Sequence, residues 1–252
     1  MRATLFSLVL LVACADPYGD AEKLNTIEGW EQYLASDAAS GSQKSIAEDK
    51  LAKLLAEKAR SENTVAAFDG YLTRFPQGTD ADDMKKARAV AAFAAAEDAN
   101  TAAGWKAFLE ENPTAEAALQ KKADAFRQVA EYGGVKVEAP TVKQVNLAHD
   151  PKGPLNGWQV ATTVTNTGDA TIKWLNLTVY YLDASGKRLT TKSYPVVAET
   201  GPGGMPIEEK FQKPLEPGKS RAWEYETEEV PKDWAQTAQV VASGIRLEAG
   251  AK

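Results

Sequence analysis

The ten-residue stretch NTAAGWKAFL, residues 100–109, decides how the first half of this chain folds, because it occurs three times in related form. The other two copies are NTIEGWEQYL at residues 25–34 and NTVAAFDGYL at residues 63–72. The copies begin 38 and then 37 residues apart. A fixed period of this length within one chain indicates an array of structural repeats. The sequence therefore predicts a helical repeat over residues 25–132.

Each copy has the features of a helix start. The Asn-Thr pair supplies side-chain oxygens that can accept hydrogen bonds from free backbone N–H groups. Two aromatic residues three positions apart then share one helix face, as Trp105 and Phe108 do in the third copy. A helix breaker follows in the second and third copies, Pro76 and Pro113, and a further helical pattern follows each breaker. We therefore expect three helix pairs with the aromatic residues in the core between them.

This Trp-x-x-Tyr/Phe-Leu and Pro pattern resembles the tetratricopeptide-like repeats of bacterial envelope proteins. The resemblance covers about residues 24–132 and implies stacked helix pairs; as a hypothesis of our own, such a stack would dock a segment of another protein in its concave groove. The period is longer than the 34 residues of the standard repeat. The pattern is thus specific for the architecture and names no ligand.

The second half of the chain alternates like β-strands. Strands are predicted at 135–138, 142–147, 158–166, 173–183, 188–197, 221–230 and 239–247, with turns at 166–169, 183–187 and 215–220. Two of these strands are each expected to bury one face, which comprises Trp158, Val160, Thr162 and Val164 in the first and Leu175, Leu177, Val179 and Tyr181 in the second. About seven short strands with regular turns predict an all-β sandwich.

Three stretches of this half resemble the FxLYD domain of bacterial envelope and secreted proteins. They are VTNTGD at 164–169, LNLTVYYLDASGK at 175–187 and LEPGKS at 215–220. The resemblance covers about residues 135–248 and implies an immunoglobulin-like fold. The expected fold class is therefore an α+β multidomain protein, with a helical repeat of three helix pairs followed by an immunoglobulin-like sandwich.

The sequence departs from the FxLYD pattern in a longer loop, residues 198–211. Its centre is a candidate partner-binding segment, because loops on rigid scaffolds often carry function; the alternative is a plain connector. The residues of this candidate segment are Gly201, Pro202, Gly203, Gly204, Met205 and Pro206. A second hypothesis places sugar rings on the tryptophans Trp174, Trp223 and Trp234, against the alternative that these rings pack in the core or at sheet edges.

The first residues have the pattern of a targeting signal. Arg2 precedes about ten mostly apolar residues, which is too short for a membrane span and typical of a secretory signal peptide. The segment LVAC at 11–14 resembles the bacterial lipobox. The resemblance implies cleavage before Cys14, acylation of that residue and permanent attachment of the protein to the cell envelope. Ala15, in place of an Asp that retains lipoproteins in the inner membrane of enteric bacteria, favours the outer membrane.

These patterns divide the chain into four expected parts. Residues 1–13 form a lipoprotein signal peptide, and residues 14–24 form a tether. Residues 25–132 form the helical-repeat domain, and residues 133–252 form the FxLYD-like sandwich. A Gly pair, Gly133 and Gly134, ends the helical part and marks both a helix C-cap and a linker.

Composition excludes several kinds of chemistry. One Cys and one His in 252 residues leave no intramolecular disulfide, no Cys-based zinc site and no multi-histidine metal site. Residues 14–133 carry a net charge of −7 and residues 134–252 are neutral, so nucleic acid is not an expected partner. No phosphate-binding loop or nucleophile elbow occurs, and His149 lies in a turn without a nearby nucleophile.

We therefore expect no enzyme, no cofactor and no catalytic or metal-binding residue. The leading prediction is a lipid-anchored envelope lipoprotein that acts as a protein-binding scaffold for another envelope protein. The alternative is a lipoprotein that binds carbohydrate or cell wall through exposed tryptophans. The sequence leaves the oligomeric state open.

Overall fold

The computed structural model describes residues 16–201 and 204–248. Helices come first and antiparallel β-sheets follow, which confirms the α+β class. The chain divides into two compact units with the division between Ala92 and Phe93. We call them the N-terminal unit and the C-terminal unit, and each is described by itself. The last helices and all the strands belong to the C-terminal unit.

Seven helices precede the first strand in the described residues. They are α1 (Pro17–Leu24), α2 (Ile27–Ala35), α3 (Gly41–Glu62), α4 (Val65–Arg74), α5 (Ala81–Ala99), α6 (Ala102–Glu111) and α7 (Ala117–Tyr132). From α2 onward, a helix of nine or ten residues alternates with a longer one. This alternation matches the order expected for three helix pairs, and α2 packs on α3 and α6 on α7.

The Asn-Thr pair acts at the junction of two helices rather than at one helix start. Thr101 is the N-cap of α6, and its hydroxyl accepts a hydrogen bond from the Gly104 N–H at 3.1 Å. Thr26 and Thr64 cap α2 and α4 in the same way. The preceding asparagines adopt the left-handed conformation that ends a helix, with φ between 42° and 48°. Each pair thus stops one helix and starts the next.

The aromatic residues of the repeat are buried, as predicted. Trp30, Tyr33, Phe68, Tyr71, Trp105 and Phe108 are all at most 3% exposed. Two of the asparagines also satisfy a buried donor, because the indole N–H groups of Trp30 and Trp105 donate to Asn25 and Asn100 at 3.1 and 3.2 Å. The second repeat has Phe68 at this position and needs no such partner. The core role of these rings therefore accounts for the repeated pattern.

The predicted tether needs a correction, because residues 17–24 form helix α1. Asp16 is its N-cap and accepts from the Gly19 N–H at 2.9 Å, and Pro17 occupies the first helical position. Tyr18 packs edge-on against Trp30 and Tyr33, with ring centroids 5.7 and 5.4 Å apart. The Asp-Pro start is a recognisable helix signal that the polar composition of the segment obscured.

The strands form two antiparallel sheets. They are β1 (Val135–Val137), β2 (Thr141–Val145), β3 (Gly157–Asn166), β4 (Ile172–Leu182), β5 (Arg188–Val197), β6 (Ser220–Thr227) and β7 (Thr237–Leu247). In sheet A, β1 and β2 pair one after the other with the same edge of β3. The opposite edge of β3 pairs with β6. Sheet B has the order β5-β4-β7. A four-residue helix, α8 (Glu209–Gln212), lies between β5 and β6.

One hydrophobic core fills the space between the sheets. Val160, Val164 and Trp223 contribute from sheet A, and the predicted face of β4 contributes from sheet B: Leu175, Leu177, Val179 and Tyr181, all 0% exposed. The predicted turn at 183–187 is present. The Asp183 carboxylate accepts hydrogen bonds from the Ser185 and Lys187 N–H groups, and Gly186 has φ +84°.

The segment predicted as a linker after α7 is fastened to the sheets. Gly133 is the left-handed C-cap of α7, as predicted, with φ +64°. The Gly134 carbonyl accepts hydrogen bonds from Thr167 and Gly168, and the Tyr132 hydroxyl donates to the side chain of Asn166 at 2.8 Å. Helix α7 also packs on β7. The Gly pair therefore marks a tight turn that holds helix and sheets together.

Candidate functional site

Two of the predicted sites lie wholly or partly outside the described residues. Cys14, the predicted lipidation site, is outside them, as are Pro202 and Gly203 of the candidate loop. The described part of that loop is a tight turn: the Gly201 N–H donates to the Met205 carbonyl at 2.7 Å, and Gly204 has φ +81°.

A methyl group on Gly201 would lie 2.8 Å from Ile207 Cγ2, so the turn packs closely against the sandwich core. Pro206 follows this turn. Met205 is an exposed apolar side chain, at 59%. The partner-binding role of the segment 201–206 stays a prediction.

The three tryptophans of the sugar-binding hypothesis occupy different environments. Trp223 is only 4% exposed and belongs to the core between the sheets. Trp174 lies over Gly244 on the other face of sheet B, where a methyl group would approach its ring to 2.7 Å. Trp234 packs against Trp158 and Tyr181 and donates its indole N–H to the Thr237 carbonyl. The described residues therefore present no surface that combines the three rings.

His149 is exposed and lies in the loop between β2 and β3, with φ +53°. Its Nε2 atom is 3.8 Å from the Glu226 carboxylate. His149 lines none of the three grooves described below. Within residues 16–201 and 204–248, no group of three or more His, Cys, Asp or Glu side chains is placed to hold a metal ion.

The N-terminal unit contains the groove that best fits a binding site in the repeats. It has a volume of about 590 Å³ and is lined by the end of α2, the first half of α3 and the turn that follows α4. Leu34, Leu51 and Phe75 give it apolar walls. This size is within the range of pockets that hold small ligands or a few peptide side chains.

Local sequence explains the turn that forms one wall. Pro76 cannot continue a helix and restricts the residue before it, so α4 ends at Arg74 and Phe75 leaves the helical conformation. Phe75 packs against both buried clusters of the N-terminal unit. A methyl group on Gly78 would lie 2.9 Å from the Tyr71 hydroxyl and 3.2 Å from Phe75 Cβ. The small residue therefore lets this turn close against α4.

The rim of the groove carries charges of both signs. Lys44, Glu48 and Asp49 project from α3 and form no ion pair with any residue that the structure describes. Arg74 on the opposite side pairs with Glu31 at 2.5 Å and lies 5.7 Å from the Phe75 ring. Charged groups around an apolar floor are suited to a peptide segment with an apolar anchor and polar flanks.

Two further grooves lie in the C-terminal unit. One, also of about 590 Å³, runs between α7 and the end of β7 and includes Tyr132, Asp169 and Arg246. The other, of about 300 Å³, is a shallow depression on the open face of sheet A, lined by Ala161, Thr163 and Ala222 together with the charged side chains Glu138 and Glu224. Among the residues that line these two grooves, no nucleophilic side chain is in contact with a base.

Sequence reasoning missed a cluster of tyrosines where β5 meets β6. The Tyr194 and Tyr225 rings are 4.1 Å apart, and Lys192 Nζ is 3.4 Å from the Tyr225 hydroxyl. Burial raises the pKa of Tyr181 to about 12 and also raises that of Tyr194, which interacts with Tyr225. Burial alone would raise the pKa of Tyr225, but Thr227, Tyr194 and Lys192 together lower it.

A second missed cluster surrounds Glu97, near the end of α5. Its carboxylate, 10% exposed, accepts a hydrogen bond from the Tyr180 hydroxyl and pairs with Arg188 at 3.0 Å and Lys122 at 3.5 Å. Burial and then the contact with Glu97 raise the pKa of Tyr180 well above its usual value. The partners are 25 to 91 residues from Glu97, so no local pattern could reveal them.

Comparison with known proteins adds little. No family model and no curated protein matches the chain. Similar solved structures include an X-ray structure of a Northeast Structural Genomics Consortium target, with 14% identity over 47% of this chain and 87% of that chain and a TM-score of 0.25. The Pseudomonas fluorescens alkylpurine DNA glycosylase AlkC, bound to DNA containing an abasic site analog, is 12% identical over 96% of this chain and 55% of that chain, with a TM-score of 0.28. Neither similarity is close enough to carry an argument about this protein.

Proposed function

We propose that the protein is a lipid-anchored component of the bacterial cell envelope that binds a segment of another protein and catalyses no reaction. The observation that carries the binding function is the groove of the N-terminal unit, with its apolar walls and with Lys44, Glu48 and Asp49, which form no ion pair within residues 16–201 and 204–248. An extended segment that inserts an apolar side chain beside Leu34 and Phe75 would find polar groups on both sides of it.

The anchor rests on the leader sequence. The apolar run after Arg2 and the LVAC segment that ends at Cys14 support cleavage and acylation at that cysteine. Several acyl chains hold a protein far more firmly than one, because each buried methylene contributes about 0.8 kcal/mol. Among the described helices, none has the length and apolar character needed to cross a bilayer.

The finer family assignments belong to the same proposal. The Trp-x-x-Tyr/Phe-Leu pattern of the helical part supports a tetratricopeptide-like repeat. The turn at 183–187, the buried β4 face and the two facing sheets support an FxLYD-like, immunoglobulin-like domain. Both are interaction modules in the families they resemble, which agrees with a scaffold role.

Site-specific photocrosslinking in intact cells tests the binding function. A photoreactive residue replaces Thr79, on the groove rim, and as a matched control it replaces Lys58, an exposed residue of α3 outside the groove. We expect one discrete crosslinked protein from position 79 and none from position 58. The charge-reversed variant Glu48→Lys/Asp49→Lys should weaken that product several-fold. Equal labelling from both positions, or none from either, contradicts the proposal.

Mass spectrometry of membrane fractions tests the anchor separately. The wild-type N-terminal peptide should begin at Cys14 and carry added acyl mass, and the Cys14→Ser variant should lose both the mass and the membrane association. An unmodified, soluble wild-type protein would overturn the anchor and leave the groove experiment unaffected.

A further inference from the structure

The last helix of the repeat, α7, has two apolar sides, and both are covered within the C-terminal unit. One side faces α6: the Phe126 ring stacks on Trp105 at 4.8 Å, and Ala123 is fully buried. The other side carries Val129 and Tyr132, which pack against the core of the sandwich. In an array of helical repeats this second side would receive the next repeat, and an uncovered terminal repeat exposes apolar surface.

Sheet B is built to receive a helix. Residues 177–181 of β4 are all at most 1% exposed, so both faces of the strand are buried although only one faces the sandwich core. Gly244 on β7 permits the close approach, because a methyl group there would lie 2.7 Å from the Trp174 ring and 3.7 Å from Ala125 Cβ of α7. If this face of sheet B were open to solvent, the side of β4 that bears Tyr180 would be exposed.

Polar contacts fasten both ends of α7 to the sheets. Near its start, Lys122 reaches Glu97, and the same carboxylate holds Tyr180 of β4 and Arg188 of β5. At its end, the Tyr132 hydroxyl donates to Asn166, whose side-chain amide in turn donates to the Ala170 and Leu215 carbonyls at 2.8 Å. A buried carboxylate is stable only when it is paired and hydrogen-bonded, and Glu97 has three such partners.

The first helix pair is covered by a different kind of element. Helix α1 packs on α2 through Tyr18 and buries Ala21. The two ends of the helical series thus each have a dedicated cover, a short helix at one end and a β-sheet at the other.

From these contacts we propose a further function for the β-domain, which is the part of the chain that forms sheets A and B: it is the C-terminal cap of the helical repeat. Sheet B takes the place of a fourth helix pair, and Glu97 is the residue that positions it by joining α5, α7, β4 and β5. The cap ends the helical part after α7 and prevents association through the side of α7 that sheet B covers. This inference is independent of what the N-terminal groove binds.

Two substitutions in the full-length chain test the cap. Gly244→Val places a wedge between sheet and helix without entering the core between the sheets, and Glu97→Gln keeps the size of the side chain while removing its charge. The matched control is Glu110→Gln on α6, an exposed residue whose pair with Lys106 is 3.8 Å long. Amide hydrogen exchange read by mass spectrometry reports each segment, and light scattering reports association.

We expect both test variants to increase exchange at least tenfold in α7 and in the β4–β5 hairpin together, and to associate at concentrations where the wild type and Glu110→Gln remain unchanged. The cap is overturned if α7 keeps wild-type exchange while β4 loses protection, or if the helix is released and the protein shows no association. If Gly244→Val fails to fold, Glu97→Gln alone decides between these results, because it adds no bulk.

Discussion

The two sheets of the β-domain have similar sizes but differ in what covers them. Sheet A is buried on one face, and its other face, with Thr163 and Ala222, lies open beside a shallow depression. In sheet B, the central strand β4 is buried on both faces, because α7 packs on the side opposite the core. The difference shows that alternation along a strand reports one buried face only, and that a polar residue can be buried when a helix brings it a partner.

Among substitutions at sheet B and the residues that contact it, we expect the greatest loss of stability at Glu97. The Glu97→Ala substitution leaves Arg188, Lys122 and the Tyr180 hydroxyl without their shared acceptor. We expect a loss of about 3 kcal/mol in the free energy of unfolding of the C-terminal unit, at the low end for a broken buried pair because Lys122 is 39% exposed. Chemical denaturation monitored by circular dichroism measures it. Glu110→Ala serves as the control and should change nothing measurable.

Tyr180→Phe tests the same cluster from the sheet side. It removes a hydroxyl that donates to a charged carboxylate, so we expect a loss of about 2 kcal/mol. The measurement is again the denaturant midpoint at an unchanged slope. Stability equal to the wild type would mean that the outer face of sheet B contributes by packing alone.

Equivalent threonines on the outer faces of the two sheets compare them directly. Thr178 of sheet B is 1% exposed, and its hydroxyl lies 2.9 Å from that of Ser193. Thr163 of sheet A faces the open depression. We expect Thr178→Ala to lower the free energy of unfolding by about 1 kcal/mol. Thr163→Ala should leave the free energy of unfolding within about 0.5 kcal/mol of the wild-type value. Equal costs would break the distinction between the faces.

The smallest expected effect lies on the core face of sheet B. The Tyr181 hydroxyl is buried and has no hydrogen-bond partner among the residues of the described ranges. Tyr181→Phe should therefore leave stability at neutral pH unchanged or raise it by up to about 1 kcal/mol. A clear loss would point to a partner for this hydroxyl.

The stability of the same variant should differ from that of the wild type at alkaline pH. Burial raises the pKa of Tyr181 to about 12 in the folded protein, above the value of about 10 for an unfolded chain. The unfolded state therefore releases its proton first, and stability that is complete below about pH 10 is lost as the pH rises through 12. Thermal unfolding from pH 9 to 12 should show a shallower decline for Tyr181→Phe than for the wild type. Parallel declines would contradict the assignment.

Much of the helical part follows from local signals. The Asn-Thr pairs place helix boundaries because a left-handed residue ends one helix and a hydroxyl caps the next. The aromatic spacing predicts which side chains are buried. Helix α1 was missed because its Asp-Pro start is embedded in a polar segment that shows little periodicity. The strands of the β-domain were predicted for the same reason as the helices, since alternation and turn residues are local.

The candidate groove and the Glu97 cluster could not be predicted in this way. Lys44, Glu48 and Asp49 look like an ordinary solvated helix face until the turn after α4 is placed opposite them. Likewise, Glu97 belongs to a run of alanines and acidic residues that suggests an exposed helix end. Its partners Tyr180 and Arg188 lie 83 and 91 residues further along the chain.

Local sequence patterns predict the repeat, the helices from α2 to α7, the seven strands, and the apolar faces of β3 and β4. These features depend on interactions within a few residues, namely caps, turns and periodic burial. Only the folded chain shows that residues 132–134 hold helix and sheets together, and that β4 is buried on both sides. Such features depend on pairing between distant groups, which the pattern along the chain does not encode.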